Sequence, residues 1–166
     1  VSGIPVKQGN HDELVTVRDA GDRGVGVFAA RDFPAGSVVL VGVIEAELDR
    51  NTPHASQIGI DRFVLHAGLM PMANHSCDPN CGIRPNATGA HNLIARTSIT
   101  EGEEITYDYA MRNYTIEHFP VPCQCGTARC RRRITGWKDL PNERKSAYRG
   151  LIAPYLLDLD KLTGRP

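Results

Sequence analysis

The chain has 166 residues, 41% hydrophobic and 23% charged, with 19 basic side chains balanced by 19 acidic ones. That length suits one domain with a real core, and a net charge of zero gives no sign of a nucleic-acid partner. No apolar run approaches the ~20 residues a membrane helix needs, and no charged-then-apolar leader opens the sequence.

Leu14 to Val17 alternates as a short strand and enters a turn dense in glycine and aspartate, Asp19-Ala20-Gly21-Asp22-Arg23-Gly24-Val25-Gly26. Val27 to Ala30 resumes as a strand, Phe33-Pro34-Ala35-Gly36 turns it, and the valine-rich run Ser37 to Glu45 forms the next strand. Residues 46–56 carry no period and read as a loop. Gln57 to Ile60 and Phe63 to Leu65 are two short strands, and Gly68 to Ala73 is a helical turn. Cys81 to Arg84 and His91 to Ala95 make a hairpin around Pro85-Asn86-Ala87-Thr88-Gly89, and Glu104 to Tyr109 is the final strand. After Trp137 the texture changes: Leu140-Pro141 opens a helix that Gly150 breaks, and Pro154 starts a second through Leu159. With no internal repeat, the expected fold class is mostly β, a single domain with a helical tail.

Two stretches carry chemistry. Asn74-His75-Ser76-Cys77-Asp78-Pro79-Asn80 combines a thiol, an imidazole and two amides with a proline that forbids regular structure. It has almost nothing apolar to pack, so its side chains are there for what they touch. Three of the five cysteines crowd into Cys123-Gln124-Cys125-Gly126-Thr127-Ala128-Arg129-Cys130, and the others are Cys77 and Cys81. Cysteines one residue apart rarely bridge, and the total is odd, so a reduced intracellular chain with thiolates on zinc is the better reading. Zinc takes four ligands, and the cluster supplies three. The fourth comes from elsewhere in the chain. The adjoining Arg131-Arg132-Arg133 reads as a solvated surface, because nothing aromatic interleaves it. Gly24-Val25-Gly26 lacks the third glycine and the helix of a dinucleotide loop, but it allows close approach of main chain to a ligand.

Taken together, Arg23-Gly24-Val25-Gly26-Val27-Phe28-Ala29, the Asn74–Asn80 segment, Gly102-Glu103-Glu104-Ile105-Thr106-Tyr107-Asp108-Tyr109 and the closing Cys-x-Cys-x4-Cys stand in one order. The chain resembles the SET-domain protein lysine methyltransferases with a post-SET zinc loop, in their compact stand-alone, bacterial-like form. The resemblance covers Leu14 to Gly136. It implies a SET-domain fold of short curved β-sheets with a pseudoknot between the Asn-His segment and the final strand. The implied divisions are a SET domain over 14–110, a post-SET zinc-binding region over 111–136 and a C-terminal helical tail over 137–166.

The resemblance also implies S-adenosylmethionine, bound bent on one face, and a target lysine entering from the opposite face. On the family's pattern Arg23, Gly24, Val25 and Gly26 lie against the cofactor's methionine end. Asn74 and His75 hold its adenine and amino-acid portions, and Gln124 adds a contact. Cys77 joins Cys123, Cys125 and Cys130 as the fourth ligand of one structural zinc. Tyr109 stands beside the transferring methyl and positions the amine; it is a poor direct base, since a tyrosine titrates at ~10. Lysine titrates at ~10.4 and only its neutral amine attacks a methyl sulfonium, which a desolvated channel favours. Tyr107 matches the position that limits product, where a tyrosine holds a water and restricts methylation to one or two groups. Cys81 remains as a small buried hydrophobe, and His54 and His66 as ordinary polar positions.

Two departures stand out. Pro71-Met72-Ala73 replaces the usual Arg-Phe ahead of the Asn-His segment. A channel tyrosine has no match in His54 to Ile60, so Phe63 or Tyr114 is expected to line the channel. The partner expected is a histone or other protein lysine, with no direct nucleic-acid or membrane binding. The competing reading is a catalytically silent SET-like module that binds a peptide.

Overall fold

The computed structural model of the protein describes residues 10–119 and 122–165. Short apolar runs punctuated by glycine and proline cannot extend one long sheet, and the described residues build four small ones. β1 (Val15–Asp19) pairs antiparallel with β2 (Val25–Ala29). β3 (Val38–Leu40), β8 (Cys81–Pro85) and β9 (His91–Ala95) form a second sheet with β9 central. β4 (Ile44–Leu48), β5 (Ser56–Gly59) and β6 (Arg62–His66) form a third with β6 central. β7 (Asn74–His75) runs parallel to β10 (Thr106–Tyr107). Among the described residues helices are confined to short 3-10 turns and to α1 (Asn142–Ala147) and α2 (Tyr155–Leu162), and none is long and apolar enough to cross a membrane.

The valine-rich run over residues 37–45 is not one strand. It divides into β3 and β4, which belong to different sheets. The cause is Gly42, whose N–H donates to Asn92 Oδ1 at 3.0 Å and whose carbonyl accepts from Asn86 Nδ2 at 2.8 Å. Its backbone is thereby taken out of the ladder, and a Cβ there would fall 2.1 Å from the His91 carbonyl oxygen. β4 then continues to Leu48 because residues 46–48 find partners on β6, inside what reads as a loop.

The final strand is likewise shorter than expected. Asp108 caps a 3-10 turn over Tyr109–Met111 by accepting the Ala110 N–H at 3.0 Å, so only Thr106 and Tyr107 pair. The segment after β7 is pinned to this strand: Ser76 N–H donates to the Tyr107 carbonyl at 3.1 Å. Asn80 donates to the Glu104 carbonyl at 2.8 Å and accepts from the Thr106 N–H at 3.0 Å. One half-buried amide side chain thus satisfies the edge of a two-residue strand, as buried backbone groups require.

The core unites the sheets with the tail. Val27, Leu40, Ile83, Leu93, Ile105, Met111, Trp137, Tyr148 and Leu156 are buried in one cluster. Ile83 N–H donates to the Leu151 carbonyl and Ala153 N–H to the Met111 carbonyl, each at 2.8 Å. Gly82 is obligatory at this seam, since a Cβ would lie 2.5 Å from that of Leu151.

Candidate active site

The glycine-rich turn, β7 and the residues ahead of β10 meet around one carboxylate. Glu104 pairs with Arg23 and accepts from Asn74 Nδ2 at 2.9 Å. The same Asn74 amide donates to the Val25 carbonyl at 2.9 Å. Gly26 admits this approach, since a Cβ would lie 2.5 Å from Glu104 Oε1 and 3.0 Å from Asn74 Nδ2.

Beside this junction a cavity of about 250 Å³ is lined by Arg23, Asn74, His75, Tyr109 and Gln124, with Phe119 among its remaining walls. Gly24, Val25 and Gly26 are not part of its wall, and Tyr107 lies beneath it, 2% exposed. Phe63 and Tyr114 line a different cavity of about 550 Å³, together with Gln57 and His118. The rings of His118 and Phe119, 4.7 Å apart, therefore stand between the two cavities.

Tyr109 is the hub of an aromatic cluster, with ring centroids 5.0 Å from Tyr107, 5.2 Å from His75 and 5.5 Å from Phe119. It reaches Tyr107 through the 3-10 turn and not along a shared strand face. Its hydroxyl donates to the Ala73 carbonyl at 3.1 Å. Burial, reinforced by Tyr107, pushes the Tyr109 hydroxyl well above the usual phenol range, which removes it as a proton acceptor.

His75 is equally constrained. Its Nδ1 accepts the Tyr109 N–H at 3.1 Å, so the neutral ring carries its proton on Nε2, which faces Cys77 Sγ at 3.3 Å. Burial lowers its pKa to about 4, against the opposing pull of Asp108.

Cys77, Cys123, Cys125 and Cys130 bring their sulfurs within 4.8 Å of one another, and Cys77 and Cys123 stand 3.8 Å apart. Four thiolates at ~2.3 Å from a tetrahedral zinc would be separated by ~3.8 Å, so the donor set fits that ion. Burial pushes the Cys77 thiol up to about 11 and Cys123 up as well, so both need a nearby cation to become thiolates. Burial opposes ionisation of Cys125 too, but hydrogen bonds from Thr127 bring it down to about 6. The Arg131 and Arg132 N–H groups donate to Cys77 and Cys130 sulfur, each at 3.4 Å, the outer hydrogen bonds a metal centre uses. Cys81 is fully buried and stands outside this cluster.

Some expectations change. Arg131 is not a solvated charge: its side chain is 14% exposed and donates both terminal nitrogens to Asp108, at 2.7 and 3.0 Å. His66 is not an ordinary polar position. It is 1% exposed, bonds Ser56 Oγ at 2.7 Å, accepts the His91 N–H at 3.0 Å, and burial lowers its pKa to about 3. Phe119 and Arg112 carry no motif, and only an aromatic in a polar stretch hinted at the first; Asp108 stands within the final-strand motif, where the sequence assigns it no role.

The SET domain family model matches residues 24–110, more than half of the chain. The chain belongs to the SET domain family. It is 31% identical over 130 residues to histone-lysine N-methyltransferase trithorax of Drosophila virilis, covering 67% of this chain and 3% of that protein. It is 30% identical over 141 residues to human histone-lysine N-methyltransferase 2B, covering 72% and 5%. The chain spans 3 to 12% of the length of these and other curated relatives it matches. Among solved structures it superposes on KRYPTONITE, crystallised with DNA, an H3(1-15) peptide and SAH, with a TM-score of 0.58 and 28% identity, covering 72% of this chain and 29% of that one.

Proposed function

We propose that this SET domain is an S-adenosylmethionine-dependent protein lysine N-methyltransferase, limited to mono- or dimethyllysine. The observation that carries the reading is the single cavity lined by Arg23, Asn74, His75, Gln124 and Tyr109, on the fold of a family whose matched members are named lysine methyltransferases. Its polar walls at Arg23, Asn74 and Gln124 and its aromatic wall at Phe119 suit a small zwitterion with a purine end. When bound, the cofactor supplies a methyl group on a sulfonium sulfur.

Arg23 and Asn74 shape the cofactor's end of the cavity through their shared hold on Glu104, with Gly24, Val25 and Gly26 as backbone behind them. Tyr109, tied to the Ala73 carbonyl, orients the substrate amine toward the methyl without taking its proton. Tyr107 restricts the room around that amine. Cys77, Cys123, Cys125 and Cys130 would hold one zinc, a closed site that supplies structure and no chemistry. The divisions 14–110, 111–136 and 137–166 follow from this reading, with residues 120, 121 and 166 outside those described. The substrate is a lysine of a histone or another protein in a reducing compartment.

Radiolabelled methyl transfer onto histones and a cell lysate, wild type beside Tyr109→Phe, tests the reading. Label on lysine from wild type and at least ~100-fold less from the variant is expected; equal labelling removes Tyr109 from its role. Calorimetry that finds no S-adenosylmethionine binding favours the silent peptide-binding module, and trimethyllysine in the product overturns the limit on methylation.

A further inference from the structure

Arg112 follows the Tyr109–Met111 turn and is 3% exposed. Its Nη2 donates to the Tyr107 hydroxyl, and its guanidinium carbon lies 4.5 Å from the centroid of that ring. Its Nε and Nη1 have no hydrogen-bond partner among the described residues, and none of their ion pairs includes it. Arginine is a permanent cation, and burying one without a counter-charge is costly.

The surrounding groups do not neutralise it. The nearby carboxylates are committed elsewhere, Glu104 to Arg23 and Asp108 to Arg131. His66 and His91 are both held neutral by burial, with the Arg112 charge adding to that effect. Tyr107 and Tyr109 are held protonated by burial. Tyr155 donates its hydroxyl to the Arg112 carbonyl, which anchors the residue from the tail side. His75 lies beyond Tyr109, and Arg131 and Tyr148 beyond Asp108. Ser56, His66 and His91 form a buried hydrogen-bonded chain whose two rings feel the Arg112 charge.

We propose that Arg112 is a positioning residue of methyl transfer: it holds the Tyr107 hydroxyl and sets an uncompensated cation behind the lysine channel, which favours the neutral target amine. The proposal rests on the methyltransferase reading. The lysine ammonium gives its proton to solvent water, and the amine lone pair then forms the N–C bond as the methyl's bond to sulfur breaks and sulfur keeps that electron pair. A like charge ~10 Å from the amine, at an effective dielectric of ~20, lowers a lysine pKa by on the order of one unit.

The test is the pH profile of kcat, which reports the groups of the enzyme–substrate complex, for a lysine peptide with wild type, Arg112→Lys, Arg112→Gln and Arg112→Met, with S-adenosylmethionine binding measured in parallel. Arg112→Gln keeps a donor for Tyr107 and removes only the charge. Its acid limb should move up by about one pH unit, giving roughly tenfold lower kcat at neutral pH and recovery at high pH. Arg112→Met should do the same, and Arg112→Lys should keep the wild-type limb. An unshifted limb in Arg112→Gln overturns the proposal. Should both neutral variants lose cofactor binding, the wild-type profile decides: a limb at the reference lysine value of ~10.4 overturns the role, and one well below it supports it. A wild type that methylates no lysine removes the methyltransferase reading itself, whereas a methylating wild type beside an unshifted Arg112→Gln removes only the role of Arg112.

Discussion

The cysteine loop and the C-terminal tail both cover the crossing of β7 and β10, and they are held by different physics. Residues 122–136 contain no helix or strand. That loop depends on four convergent sulfurs, on N–H groups aimed at them and on the Arg131–Asp108 pair. The tail buries Trp137, Leu140, Tyr148, Ile152, Tyr155 and Leu156. Asp108, fully buried, is where the two meet, since it accepts from Arg131 of the loop and from the Tyr148 hydroxyl of the tail at 2.9 Å. A segment without an apolar face takes its geometry from ligation and charge, and can lose it without loss of the core. A packed helix cannot.

The sharpest way to break the comparison is to remove the metal site. Cys77→Ser should abolish a bound zinc whose affinity in such sites is worth about 10 kcal/mol, as read by metal analysis. Since Cys123, Cys125 and Gln124 also wall the cofactor cavity, S-adenosylmethionine binding should fall with it, while far-UV circular dichroism stays near wild type. Full cofactor binding without metal would merge the two regions into one packing unit.

Asp108→Ala should strike both regions at once. Leaving the buried Arg131 charge unpaired costs about 3–5 kcal/mol in denaturant unfolding. Leu156→Ala should cost about 2–5 kcal/mol with zinc content unchanged, because Leu156 belongs to the apolar core and not to the cysteine cluster. Acid probes a third region. His66 and His91 have folded pKa values depressed below the unfolded ~6.5, so the unfolded chain binds more protons between that value and the folded ones. Their contribution is complete above pH ~6.5 and is lost as pH falls toward about 3, by about 1.4 kcal/mol per pH unit for each histidine. Arg112→Gln should narrow this window from its acid side, because the buried cation helps hold both rings neutral. Smallest, Tyr148→Phe should cost about 1 kcal/mol, seen as a modest fall in Tm, by removing one hydroxyl from Asp108.

Much of this molecule was legible before its structure, because some features are written in neighbouring residues. Pro79 and the glycines mark turns, alternation marks β1, the turn residues 85–89 mark the β8–β9 hairpin, and three cysteines within eight residues announce a metal loop. The order of four motifs carried the family. Other features depend on partners far along the chain. Gly42 breaks a valine-rich strand only because Asn86, Asn92 and His91 arrive beside it. Phe119 gains its place by standing on Tyr109.

The charged residues divide most clearly. Arg131, Arg132 and Arg133 are alike as letters, yet one is paired with a buried carboxylate while its neighbours face solvent. Arg112 carries no motif, and its buried, unpaired state exists only once Tyr107 and the tail close around it. Local chemistry supplies thiols, turns and strand periods by itself. The energy of a charge is set by its burial and its nearest opposite, and those distances come into being only when the chain has folded.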